Sequence, residues 1–235
     1  MIDVTNVILT DDELEQCREF SQVSAATQQA VEFGQHTTEP RSQQEISRDN
    51  LIGKIAEVAF CKIMQENYDI DVPLDFNYYP RGQWDDQDAK IYGWCIDIKG
   101  TRKGGRWMLI EWNKLDFRQR YNNLCQVYAM FTVDWNRKTD MPTGRASYEG
   151  AITLKWLSED FPSTRVIRRG EKLPGTENTY LQADNYGIRF RDLNKNLDGL
   201  VRMMRRTQPE QALTDNFKNP YTGDTTIEIL ARNEV

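Results

Sequence analysis

The sequence predicts an α/β fold in which a mixed central sheet is flanked by helices, and three stretches predict it. Residues 50–68 carry Leu51, Ile52, Ile55, Val58, Ala59, Ile63 and Met64 at the spacing of a buried helical face. Residues 88–99 (DAKIYGWCIDIK) alternate as a short β-hairpin. Residues 126–134 (QVYAMFTVD) form an apolar, β-branched and aromatic run that suits a fully buried strand. Helix, hairpin, strand, helix and strand in that order give a mixed sheet with helices packed against it.

The elements follow in chain order. Residues 11–33 read as a polar amphipathic helix, opened by Thr10 ahead of Asp11, Asp12 and Glu13, a cap followed by first-turn acids. Residues 34–49 are rich in Gln, Thr, Ser and Glu and contain Pro40, which predicts a loop or arm, and Gly34 suits the stop of the preceding helix. The apolar helix of residues 50–68 comes next. Residues 69–85, with Pro73 and Pro80, form an irregular connection to the hairpin. After Gly104-Gly105, residues 106–111 (RWMLIE) are expected to continue the hairpin as a third strand. Residues 148–154 read as another strand and 155–159 as a helical turn. Residues 160–185 are rich in loop formers, and residues 186–191 suit a late strand. The organisation expected is a helix and polar arm over 1–49, a core over 50–205 and a loosely ordered tail over 206–235.

Bulk composition narrows the function. The chain has 235 residues, 39% hydrophobic and 11% aromatic, enough for one large domain, or a domain plus an appendage, without staples. No apolar run approaches the roughly 18 residues of a membrane span, and the acidic N-terminus is unlike a secretory signal, so a cytoplasmic location is expected. Cys17, Cys61, Cys95 and Cys125 form no CxxC pair and read as buried reduced thiols. His36 is the one histidine, which excludes the usual His/Cys zinc sites and any His-based triad. No GxxxxGK[ST] loop is present, so no nucleotide cofactor is expected. Chemistry is left to carboxylates, lysine and hard metal ions.

The hairpin carries that chemistry. Alternation over residues 94–99 sets Cys95, Asp97 and Lys99 on one face and Trp94, Ile96 and Ile98 on the other. If Tyr92-Gly93 is a two-residue turn, Ile91 pairs with Trp94 and Asp88 stands opposite Asp97. Tyrosine is a poor residue for the positive φ of such a turn, and a longer turn centred on Gly93 would slide the pairing and undo that opposition. Two carboxylates and a lysine converging in this way make a poor core and a good seat for a divalent cation. In the long helix, Glu57 is an acid in an apolar stretch, four residues after Gly53 and next to small Ala56, small residues that allow close approach to the sheet.

These residues resemble the PD-(D/E)xK, or restriction-endonuclease-like, nucleases. The resemblance rests on Gly53-x-x-Ala56-Glu57, then Asp88, then Asp97-Ile98-Lys99-Gly100-Thr101, in that order. It covers about residues 50–135 and extends toward residue 191 if Glu149-Gly150-Ala151-Ile152 and the short helix after it match the late part of phage and bacterial members. One departure is the absence of a proline before the first aspartate; Asp85, Asp86 and Asp88 all stand near that place. Asp88 has the better spacing to Asp97, and Asp86 is the alternative.

The resemblance implies a restriction-endonuclease-like fold and Mg²⁺-dependent cleavage of DNA, with Mn²⁺ able to substitute. Asp88, Asp97 and the Ile98 carbonyl would hold the metal, Lys99 would act on the attacking water and the transition state, and Glu57 would hold a second metal or a metal-bound water. It also implies 5′-phosphate and 3′-hydroxyl ends and, for duplex cutting, a homodimer. RNA cleavage, structure-selective or exonucleolytic action, and a non-catalytic nucleic-acid-binding protein are the alternatives.

The charge distribution agrees with a nucleic-acid partner better than the net charge of −6 does. Residues 1–49 carry ten acids against Arg18, Arg41 and Arg48, which leaves the remainder about +1. Basic clusters stand at Lys99-Arg102-Lys103-Arg106, at Arg165-Arg168-Arg169 and at Arg202-Arg205-Arg206. The first lies beside the acidic hairpin, so Arg102, Lys103 and Arg106 are expected to meet phosphates; for the other two, solvated surface and phosphate contact stand as equal alternatives. Trp84, in a polar loop beside the acids, and Trp107 are the candidates for base stacking; Trp94, Trp135 and Trp156 read as packing residues.

Overall fold

The computed structural model describes residues 1–27, 42–78, 88–111, 125–158, 164–177 and 179–209. It is a mixed α/β structure. A five-stranded mixed sheet has the order β1-β6-β5-β3-β2, and a three-stranded antiparallel sheet has the order β4-β8-β7. The strands are β1 (Val7–Ile8), β2 (Ala89–Ile91), β3 (Trp94–Arg102), β4 (Trp107–Glu111), β5 (Val127–Asn136), β6 (Met141–Thr153), β7 (Thr164–Ile167) and β8 (Asn185–Arg189). The helices are α1 (Asp11–Thr27), α2 (Gln43–Tyr68), α3 (Leu154–Ser158) and α4 (Leu197–Arg206). None of them is long and apolar enough to cross a membrane.

Three layers result. On one face of the five-stranded sheet, α1, α2 and α4 pack over Ile96, Ile98, Ala129, Phe131 and Val133. On the other, Met108 and Ile110 of β4 and Tyr186 and Ile188 of β8 cover Tyr128, Met130 and Ile152. β5 is buried from Val127 to Val133 because it lies between these layers, as its unbroken apolar run requires. β3 and β5 run parallel, with Asp97 paired to Tyr128 and Lys99 to Met130. The remaining pairs of this sheet are antiparallel.

α2 begins seven residues before the expected start, so residues 43–49 are helix and not arm. The cause is a capping box: Glu45 donates its N–H to Ser42 Oγ at 3.2 Å and accepts the Ser42 N–H at 2.8 Å. Its end is closed by Asp69 in the left-handed region, whose N–H reaches the Gln65 carbonyl at 3.1 Å. All seven residues expected on its buried face are buried. α1 opens at the expected cap, with Glu13 N–H donating to Thr10 Oγ1 at 3.2 Å. Residues 28–41, which include Gly34 and Pro40, lie outside the described residues.

The N-terminal segment is built into the core. Val7 and Ile8 of β1 pair with Ala146 and Arg145 of β6, and Leu14 and Cys17 of α1 are buried against α2. The strand after Gly104-Gly105 is also placed differently from the expectation. β4 leaves the hairpin and pairs with β8 in the second sheet, Trp107 opposite Arg189 and Glu111 opposite Asn185. A strand's own alternation fixes its faces but carries no information on which strand it joins. Within the stretch expected to be loop, Thr164–Ile167 forms β7. Of the tail, residues 206–209 are described and 210–235 lie outside.

Candidate functional site

The hairpin closes in the tight register. Ile91 pairs with Trp94, Lys90 with Cys95 and Ala89 with Ile96. Tyr92 and Gly93 both take positive φ, +51° and +86°, as a two-residue turn of the I′ type demands. A tyrosine tolerates this because distant residues hold it. Arg205 of α4 donates from Nε and Nη2 to the Tyr92 hydroxyl at 3.2 and 2.9 Å, and its guanidinium lies 5.5 Å from the ring centre. Trp94 Nε1 donates to the Thr207 carbonyl at 3.3 Å, and Pro209 comes up beside Gly93.

With that register, Asp88 comes next to β2 opposite Asp97. Its Oδ2 accepts the N–H of Ile98 at 2.6 Å. In an antiparallel ladder a residue turns its N–H and C=O toward the same neighbour. The Ile98 carbonyl is therefore directed at the same sheet edge as the Asp88 carboxylate. Asp97, only 5% exposed, lies on the face covered by the second sheet and pairs with Lys99 Nζ at 2.6 Å. Asp88, Asp97, Ile98 and Lys99 are thus gathered at one end of the hairpin. A buried carboxylate beside an ammonium, a second carboxylate and a main-chain carbonyl form a set of hard oxygen donors with one cation next to it.

Glu57 stands on α2, on the helical side of the sheet. Its Oε2 accepts from Lys54 Nζ at 2.5 Å, and Lys54 also donates to the Asp75 carbonyl at 2.7 Å. Lys54 is 5% exposed, and its ammonium sits 4.3 Å above the Phe20 ring and 5.4 Å from that of Phe76. Cys61, one helical turn after Glu57, is 7% exposed. Burial pushes its thiol up to about 12, and the charges of Glu57 and Asp88 both add to the rise. Among the described residues, no group of three or more His, Cys, Asp or Glu side chains is gathered closely enough to hold a metal by itself.

Gly100, directly after Lys99, fixes the helix on this strand. A Cβ there would lie 2.7 Å from the Ile52 carbonyl, so only glycine allows α2 to approach β3 this closely. Gly53, expected to provide that approach, has open space where its Cβ would stand.

The expected phosphate contacts are mostly committed elsewhere. Arg102 pairs with Asp140 at 3.2 Å and stacks 4.1 Å from the Trp135 ring centre, and Lys103 pairs with Asp134 at 3.0 Å. Arg106 is exposed at the start of β4. Trp107 donates its indole N–H to the Pro174 carbonyl at 2.9 Å and packs under Arg189, so it is a packing residue. Trp156, expected in the packing, is 47% exposed. Trp84, Asp85 and Asp86 lie outside the described residues.

Two features were missed in the sequence. Lys54 stands three residues before Glu57 within the apolar helical face, a buried lysine whose pairing the i, i+3 spacing could have suggested. On the face that carries Lys99, Thr132 of β5 donates its hydroxyl to Glu149 of β6 at 2.8 Å, and Lys195 donates to the Glu149 carbonyl. No local pattern links those three residues. No family model matches the chain, nor does any curated protein or solved structure.

Proposed function

We propose that the protein is a metal-dependent phosphodiester hydrolase acting on DNA, a nuclease of the PD-(D/E)xK type with a restriction-endonuclease-like core. One observation carries the reading. The Asp88 carboxylate bonds the main chain of Ile98 at 2.6 Å, inside an Asp97-Ile98-Lys99 segment whose acid and lysine share a face. Acid, acid-x-lysine and the carbonyl between them are the donors that the nuclease motif requires.

The residues fit a hard divalent cation. Mg²⁺ takes oxygen ligands and keeps several waters. Asp88, Asp97 and the Ile98 carbonyl would hold it, and the bound ion would lower the pKa of a ligand water and neutralise phosphate charge. Lys99, at 22% side-chain exposure, orients the attacking water and stabilises charge developing on the phosphoryl oxygens. Glu57, held by Lys54, would hold a second metal or a metal-bound water.

The test uses plasmid, linear duplex, single-stranded DNA and RNA, each incubated with Mg²⁺ and with EDTA. Mg²⁺-dependent cutting of DNA is expected, and Asp97→Asn should lower the rate about 10²-fold or more, since a ligand supplying several kcal/mol is lost. Lys99→Ala should lower the rate while duplex binding stays measurable. Wild-type rates from Asp97→Asn, or cutting in EDTA, would refute the assignment. Cutting confined to RNA would change the substrate and leave the site standing.

A further inference from the structure

We propose that the tip of the β2–β3 hairpin and the basic stripe of α4 form a binding surface for the phosphate backbone of duplex DNA. The turn at Gly93 stands four residues along β3 from Asp97, about 13 Å at roughly 3.3 Å each. This deepens the nuclease reading and rests on it for the choice of DNA.

The cations here are of a different kind from those beside the acids. Arg102 and Lys103 are paired with Asp140 and Asp134, so their charge is largely answered within the protein. Arg202, Arg205 and Arg206 are all exposed and stand at i, i+3 and i+4, one stripe of the helix. Among the described residues, no carboxylate pairs with any of the three. Asp198, one turn earlier on that stripe, accepts the Tyr68 hydroxyl at 2.6 Å. Lys90 of β2 is exposed beside the turn, opposite Cys95 and thus on the face that carries Asp97.

The stripe is fixed to the hairpin. Arg205 grips the Tyr92 hydroxyl, Thr207 accepts from Trp94, and Tyr92 itself stays 44% exposed. The apolar side of α4, Leu197, Leu200, Val201 and Met204, is buried in the main core. The helix therefore offers only its charged side to a partner and has no apolar face for a lipid surface. Three arginines on one stripe of α4, fixed to the exposed ring of Tyr92, suit a polyanion with evenly spaced charges. At a rise of about 3.4 Å per nucleotide, the surface would hold the backbone roughly four base pairs from the reacting phosphate.

The test measures binding of a labelled short duplex by fluorescence anisotropy, in EDTA so that no cleavage intervenes, over a series of salt concentrations. Arg202→Gln/Arg206→Gln should reduce the slope of log K against log salt by about 1.8, some 0.9 for each phosphate that is no longer neutralised. Arg202→Lys/Arg206→Lys keeps the charge and should keep the wild-type slope, which a merely structural role of the guanidinium groups would not allow. An unchanged slope in the glutamine variant, no duplex binding by the wild type, or preferential binding to phosphatidylserine vesicles would overturn the proposal. Cleavage with an unchanged slope sinks this surface and leaves the nuclease; the predicted slopes without any cleavage sink the nuclease and leave the surface.

Discussion

Lys54→Met should destabilise the protein more than any substitution at an exposed charge. The ammonium is 5% exposed, donates to Glu57 at 2.5 Å and to the Asp75 carbonyl at 2.7 Å, and rests on the ring of Phe20. Methionine fills the volume and stays against the rings, so the loss is electrostatic and not a cavity. Breaking a buried ion pair from one side costs about 3–5 kcal/mol, because the other charge is left without its partner. The Glu57 side chain retains 16% exposure, so water solvates part of the abandoned carboxylate and about 2–4 kcal/mol is expected. For a chain of this size that lowers Tm by roughly 4–16 °C. Removing both charges with Lys54→Met/Glu57→Leu should recover at least half of the loss. Urea unfolding of wild type, both single variants and the double variant measures the coupling as a double-mutant cycle. A single-variant loss under about 1 kcal/mol, or a coupling under about 0.5 kcal/mol, would refute the view that Lys54 is held by charge.

Two further predictions concern the helical layer. Glu13 binds Lys62 at 2.8 and 3.1 Å and Thr10 N–H at 2.6 Å; burial raises its pKa, but these donors outweigh burial and hold it below its usual 4.5. A depressed folded-state pKa stabilises above the unfolded value and is lost as pH falls through the folded one. Stability should therefore decline from about pH 4.5 downward, and Lys62→Met should flatten that decline in urea titrations run across pH; an identical acid limb in both proteins would contradict it. The thiols of Cys17 and Cys61 are pushed up to about 12, chiefly by burial. Ellman's reagent at pH 8 should leave both unmodified in the native protein and react with all four cysteines in guanidinium; rapid native labelling of Cys61 would mean that α2 is less closely packed than described.

Local pattern alone determined the parts of this protein that repeat with the period of the backbone. Apolar residues at helical spacing set the buried face of α2, and strict alternation set Asp97 and Lys99 on one side of β3 with Ile96 and Ile98 on the other. The order of acid, acid and lysine was legible for the same reason, since all three lie within a dozen residues. The start of α2 was legible too, in the Ser42-x-x-Glu45 box, but the polar composition around it masked the signal.

The tertiary structure decided whatever depends on residues far apart. The hairpin register required a tyrosine at positive φ, and Arg205, 113 residues away, holds it there. β4 joined β8 across nearly eighty residues, a pairing chosen by side-chain complementarity that no period encodes. Charge behaved in the same way. Arg102 and Lys103 looked available in the sequence, but Asp140 and Asp134 meet them through the β5–β6 hairpin, while the arginines of α4 keep their exposure because the fold brings no described carboxylate to them. A residue's period is set by its own backbone, but its partner is set by whichever chain segment can bury the adjoining surface, and that competition is settled only when the whole core assembles.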